Sequence, residues 1–92
     1  MKELEDLTTF EKTVLLACGK ANDFTLKAHN SEGFIRKKID KKNRQYVKPA
    51  LKKLVRKGFI IKRPGSKELS YYLSPIGLKA CNLLKKELEN SI

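Results

Sequence analysis

One histidine, His29, and two cysteines, Cys18 and Cys81, are all the imidazole and thiol this sequence holds. None of the three falls into a C-x2-C or H-x3-H spacing, so no zinc site is expected. Nothing places a nucleophile or a carboxylate pair beside His29, so no catalytic centre is expected and no cofactor is called for. Glycine is sparse, and Gly65 stands in turn context rather than between a strand and a helix, which rules against a phosphate-cradling loop. No apolar run approaches the ~20 residues of a membrane helix. The first residues, Met1 to Leu7, are too acidic and polar for a signal peptide, which points to an intracellular protein. Repeats and low-complexity stretches are absent. Ninety-two residues suffice for a single domain, 1–92, with a modest core and little margin for a separate catalytic cleft.

Acidic residues are also scarce: 10 Asp and Glu stand against 21 Lys and Arg, a formal net charge of +11. The imbalance is local. Residues 27–67 carry fifteen Lys or Arg against Glu32 and Asp40, and the rest of the chain is slightly acidic. A charge that only solubilised the protein would be spread over its surface. An excess confined to one segment is the footprint of a polyanion site. An anionic membrane is the weaker fit, because no basic amphipathic stretch carries an aromatic or leucine-rich insertion face.

Thr8-Thr9-Phe10-Glu11 is a capping box, and behind it Phe10, Val14, Ala17 and Ala21 recur at helical spacing. Residues 1–7 form a polar lead-in, frayed unless something packs on it. Phe24-Thr25-Leu26 suits a short strand. Asn30 or Ser31 can cap a second helix with Phe34, Ile35 and Ile39 facing inward, and Asp40-Lys41-Lys42 is a turn. Asn43 can cap a third helix that buries Val47, Ala50, Leu51 and Leu54. Pro49 inside it removes an amide donor, so its first turn is loose or the helix starts near Lys48. Either option puts the reach of Arg44 and Gln45 in question more than that of Lys48 and Lys52.

Gly58, four residues past Leu54, supplies a left-handed helix stop. Phe59-Ile60-Ile61, the turn residues Pro64-Gly65-Ser66 and Leu69-Ser70-Tyr71-Tyr72-Leu73 read as strand, turn and strand. On that returning strand one of Tyr71 and Tyr72 faces the core and the other outward. Tyr46 can touch a ligand or pack on the second helix. Ser74-Pro75 is an N-cap with proline at the first helical position. The order L-x-x-x-G-x-I (Leu54, Gly58, Ile60), a basic turn at 62–67, then Y-Y-L-S-P-x-G (Tyr71 to Gly77) resembles winged helix-turn-helix proteins, in particular the small MarR- and PadR-like regulators. Composition and size look like those of archaeal or archaeal-virus members. The resemblance implies an α+β fold with helices at about 8–19, 31–39, 43–57 and 75–89 and a β-hairpin wing at 59–73.

It also implies double-stranded DNA as the partner, the third helix in the major groove and the wing on the minor groove or backbone. Arg44, Gln45, Lys48 and Lys52 are then the candidates for base readout, since Arg and Lys suit guanine and Gln suits adenine. Lys41, Lys42, Arg56, Lys62, Arg63 and Lys67 would position the backbone. A sequence-specific regulator is the first reading. A nucleoid-type protein that coats DNA and a winged helix recruited for protein contacts are the alternatives. With no sensor domain in sight, no small-molecule effector is expected.

The last helix carries two stripes, Ile76, Ala80 and Leu83 beside Gly77, Cys81, Leu84 and Leu88. The second has the spacing of a pairing seam, so a homodimer built on it is expected, with Cys81 near the two-fold axis. The cysteines can be two buried, reduced hydrophobes, a Cys81–Cys81 bond between subunits, or a Cys18–Cys81 bond within one chain.

Overall fold

The structure is a computed structural model describing residues 1–65 and 68–90. A short 3-10 helix, Lys2–Asp6, precedes α1 (Thr9–Ala21), β1 (Asn30–Ser31) and α2 (Glu32–Arg36). A second 3-10 segment, Lys41–Tyr46, then runs straight into α3 (Val47–Arg56), followed by β2 (Ile60–Pro64), β3 (Leu69–Leu73) and α4 (Pro75–Asn90). The strands form an antiparallel sheet in the order β1-β3-β2. Helices packed on a three-stranded sheet whose hairpin projects as a wing, with a trailing helix, make this the expected α+β winged-helix arrangement.

The capping box forms as read: the Thr8 hydroxyl accepts from the Glu11 amide at 3.1 Å and the Glu11 carboxylate accepts from the Thr8 amide at 2.8 Å. The lead-in does find something to pack on, because Leu4 and Leu7 are buried in the core. Val47, Ala50, Leu51 and Leu54 all face that core. Pro49 is the third residue of α3, within the first turn, where a helix has no use for the amide hydrogen that proline lacks. The looseness it imposes is visible as the 3-10 winding of the six residues before α3.

The third strand is not at Phe24–Leu26. Asp23 and Phe24 take left-handed backbone angles, φ 54° and 51°, and the Phe24 amide bonds back to the Gly19 carbonyl at 2.8 Å. That turn cannot extend, so pairing starts later, with Asn30 opposite Tyr71 and Ser31 opposite Ser70. Asn30 is fixed by donating to the Ala21 carbonyl at 2.6 Å and to Asn22 Oδ1 at 2.7 Å. The buried Asn22 in turn donates to the Tyr71 carbonyl at 3.3 Å. The α2 helix is also shorter than expected, closing in turns over Lys37–Ile39. A helix of this length has one buried position, Ile35; Phe34, expected inward, is 42% exposed with Lys38 Nζ 5.1 Å from its ring centre.

Three residues lock α4 onto the end of α3. Gly58 adopts φ 85° and turns the chain into Phe59 and β2. Ser74 caps α4: its hydroxyl lies 2.5 Å from the Gly58 carbonyl and 3.0 Å from that of Phe59, and accepts from the Gly77 amide at 3.0 Å. A β-carbon on Gly77 would overlap the Phe59 carbonyl oxygen, so only glycine allows this approach.

The disulfide expectation is overturned. Cys18 and Cys81 are free thiols, both fully buried and not at bonding distance. Cys81 Sγ sits against the Leu15 carbonyl at 3.6 Å, in the core rather than on a surface where it could meet its own copy. The stripe expected to pair with a second copy is the one that closes the core: Gly77, Cys81 and Leu84 are buried, and only Leu88 of the four is exposed. The reason is the tight Gly77–Phe59 approach, which turns that side of α4 inward. Burial pushes both thiols up to about 12; the neighbouring Cys81 adds to the rise at Cys18, while Lys85 opposes it at Cys81.

Two outcomes follow from this packing. Gly77→Ala should cost about 3 kcal/mol, read as a lowered urea midpoint, whereas Gly33→Ala, whose β-carbon meets nothing closer than Ser31 Oγ at 3.9 Å, should be neutral or stabilise by up to about 1 kcal/mol. A thiol-exchange reagent at pH 8 should find no fast-reacting thiol in the native protein and two after denaturation, and a non-reducing gel should run as monomer.

Candidate nucleic-acid interface

The cations of α3 are sorted by the face they occupy. Lys48, Lys52 and Arg56 recur every fourth residue on the side opposite the buried stripe and are exposed. Lys53 and Lys57 point toward the N-terminal segment. Lys53 Nζ lies 2.9 Å from Glu11 Oε1 and 3.1 Å from the Asp6 carbonyl, and Lys57 Nζ is 3.8 Å from Asp6 Oδ2. Burial raises the Glu11 carboxyl, but the hydrogen bonds from Lys53 and the Thr8 amide outweigh it and hold the group below its usual value. Among the described residues Lys41, Lys42, Lys48, Lys52, Arg56, Lys62 and Arg63 have no carboxylate within salt-bridge reach. Charge is thus cancelled on one side of α3 and left open on the other.

The wing divides its own cations. The hairpin register sets Lys62 opposite Tyr71 and Arg63 opposite Ser70, and neighbouring strand residues point to opposite faces. Tyr71 is the tyrosine that faces the core and Tyr72 the outward one. Lys62 therefore shares the α3 side, where it lines a cleft of about 330 Å³ with Lys48, Lys52 and Tyr71. Arg63 borders the opposite side with Tyr72. Lys67 and Ser66, the rest of the expected turn, lie outside the described residues.

Two carboxylates that sequence reasoning left out, Glu32 and Glu68, also line the α3–wing cleft. Glu32 is held 3.3 Å from Arg36 Nη1. The signal for it was available: a helix-turn-helix that ends in a wing brings the start of its second helix against the returning strand, as the Ser31–Ser70 pairing does here.

Arg44 is taken out of the readout set. Its Nε donates to the carbonyls of Arg36 and Ile39, both at 2.9 Å, and Nη2 reaches the Lys37 carbonyl at 3.4 Å. The guanidinium caps the end of α2, where its charge meets the negative end of the helix. Gln45, Lys41 and Lys42 are exposed on the 3-10 segment leading into α3. Tyr46 packs edge-on against Phe10 of α1, ring centres 6.3 Å apart, rather than on the second helix. The structure thus gathers Lys48, Lys52 and Lys62 around one cleft, continues their face with Arg56, and sets Arg63 and Arg44 apart.

Comparison of the chain with family models, with curated proteins and with solved structures finds no match. Among the described residues no helix is long and apolar enough to cross a membrane, and no group of three His, Cys, Asp or Glu could hold a metal.

Arg44→Ala should lower folding stability by about 1–2 kcal/mol through the freed carbonyls of α2, whereas Lys48→Ala should leave stability within about 0.5 kcal/mol. Urea titration of the two variants side by side checks the separation.

Proposed function

We propose that this chain is a double-stranded DNA-binding regulator of the small winged helix-turn-helix kind, in the manner of MarR- and PadR-like proteins. The observation that carries the reading is the sorting of charge. Lys48 and Lys52 of α3 and Lys62 of the wing converge on one cleft, while Lys53 and Lys57, on the other side of the same helix, are paired with acids. A winged-helix shape is compatible with α3 entering the major groove and the wing lying on the flanking minor groove. In that pose Lys48, Lys52 and Gln45 address base edges. Arg56, Lys41, Lys42 and Lys62 hold phosphates.

Self-association belongs to the same proposal on altered terms. The expected seam is spent on the protomer's own core, where Gly77, Cys81 and Leu84 are buried, so two copies would have to meet on another surface. A two-fold pair would present its α3 helices to half-sites about one turn of DNA apart.

Selection from a randomised duplex pool at two salt concentrations tests the reading. About six phosphate contacts should give log K against log salt a slope near −5. An enriched motif, relaxed by Lys48→Ala or Lys52→Ala, marks a regulator. Strong binding without a motif marks a coating protein, and a slope shallower than about −2 means this face does not dock on DNA.

A further inference from the structure

The loop between α1 and β1 comes up against the back of the wing, the side turned away from α3. There Lys27, His29, Arg63 and Tyr72 line a hollow of about 490 Å³, with Lys62 on the edge strand bordering both this hollow and the α3 cleft. Among the described residues no carboxylate lines the back hollow, whereas Glu32 and Glu68 line the cleft on the α3 side. Lys27, His29 and Arg63 are exposed, and among the described residues none is in a salt bridge. Glu68 comes close only at the His29 end, where it lines a neighbouring hollow with His29 and Ser70, so the Lys27–Arg63 part of this flank is the less ambiguous anion surface.

We infer that this back face is a second phosphate-binding surface, and that it takes the backbone of the same duplex that α3 addresses. The inference rests on the DNA-binding reading above. A minor groove about 6 Å wide cannot admit a hairpin without bringing the phosphates of both strands against it. The register separates the two wing cations to suit: Lys62 meets the strand nearer α3, and Arg63, backed by Lys27 and His29, meets the strand beyond. Lysine and arginine supply charge. An imidazole keeps an N–H to donate in either protonation state, and Tyr72 adds a hydroxyl at the rim. The DNA contact surface then reaches past the wing to the Lys27–His29 loop, which the helix-turn-helix order alone does not include.

The test is a salt titration of one labelled duplex against wild type, Lys27→Ala, Lys27→Ala/Arg63→Ala, the charge-restoring Lys27→Arg, and Lys48→Ala as the reference for α3. Lys27→Ala should flatten the slope by about 0.9 and the double variant by about 1.8, with Lys27→Arg restoring the first loss and the selected motif unchanged. If the double variant keeps the wild-type slope while Lys48→Ala weakens binding, α3 docks and the back face does not, and this inference falls alone. If Lys48→Ala is silent as well, the DNA reading itself falls. A second assay mixes two differently labelled duplexes. Should the double variant lose only the capture of a second duplex, the surface serves bridging and the assignment to the same duplex is overturned.

Discussion

The face built by α3 and the wing depends on one close backbone approach, that of Gly77 to the Phe59 carbonyl. Phe59 is fully buried and is the first residue after the glycine stop of α3, so whatever fixes it fixes both the end of that helix and the root of the wing. Ser74 secures the contact from the other side: its amide donates to the Phe59 carbonyl at 3.1 Å and its hydroxyl faces the same group. The cap of α4, the end of α3 and the base of β2 thus share a few backbone atoms. Lys52 and Lys62 stand on the two elements, α3 and β2, that meet at that one junction.

A second constraint acts at the opposite end of α3. Proline at its third position weakens the lead-in, and six residues of 3-10 helix would have little to hold them. Arg44 compensates by reaching back to the last carbonyls around α2. One guanidinium satisfies acceptors that a five-residue helix leaves open, and ties the turn of the helix-turn-helix to the helix before it. Counting Arg44 as part of a DNA footprint confuses a cation near the site with a cation available to it.

Most of the fold was legible because its signals are local and redundant. The capping box at Thr8, the buried positions of α3, the glycine stop and the Ser-Pro start of α4 each name a boundary without reference to the rest of the chain. What escaped depends on partners distant in sequence. The strand misplaced at Phe24 looked extended by composition, yet a helix-ending turn holds Phe24, with Lys85 Nζ 4.0 Å from its ring centre. Which stripe of α4 would be buried could not be decided by spacing, since both had helical period; the approach to Phe59 decides it. The cysteines were open for the same reason. The exposed lysines of the site were readable as a group, but their division by acids at positions 6 and 11 was not.

That division changes what net charge means for this protein. A formal +11 suggests a surface that would hold a polyanion in many orientations. Pairing of Lys53 and Lys57 with Glu11 and Asp6 removes attraction from the N-terminal side, and Arg44 is occupied by carbonyls. Around α3 and the wing, what remains is one cationic face on α3, Lys62 on the near flank of the wing and Arg63 with Lys27 on the far one. Glu32 and Glu68 inside the α3 cleft sharpen this further, because a carboxylate beside a phosphate is repelled while one beside a cytosine amino group is not. On the DNA reading proposed above, a cleft that mixes lysines with two carboxylates would discriminate among anionic partners by position. A surface of lysines alone would bind them all, which is why the function proposed above puts the regulator ahead of the coating protein.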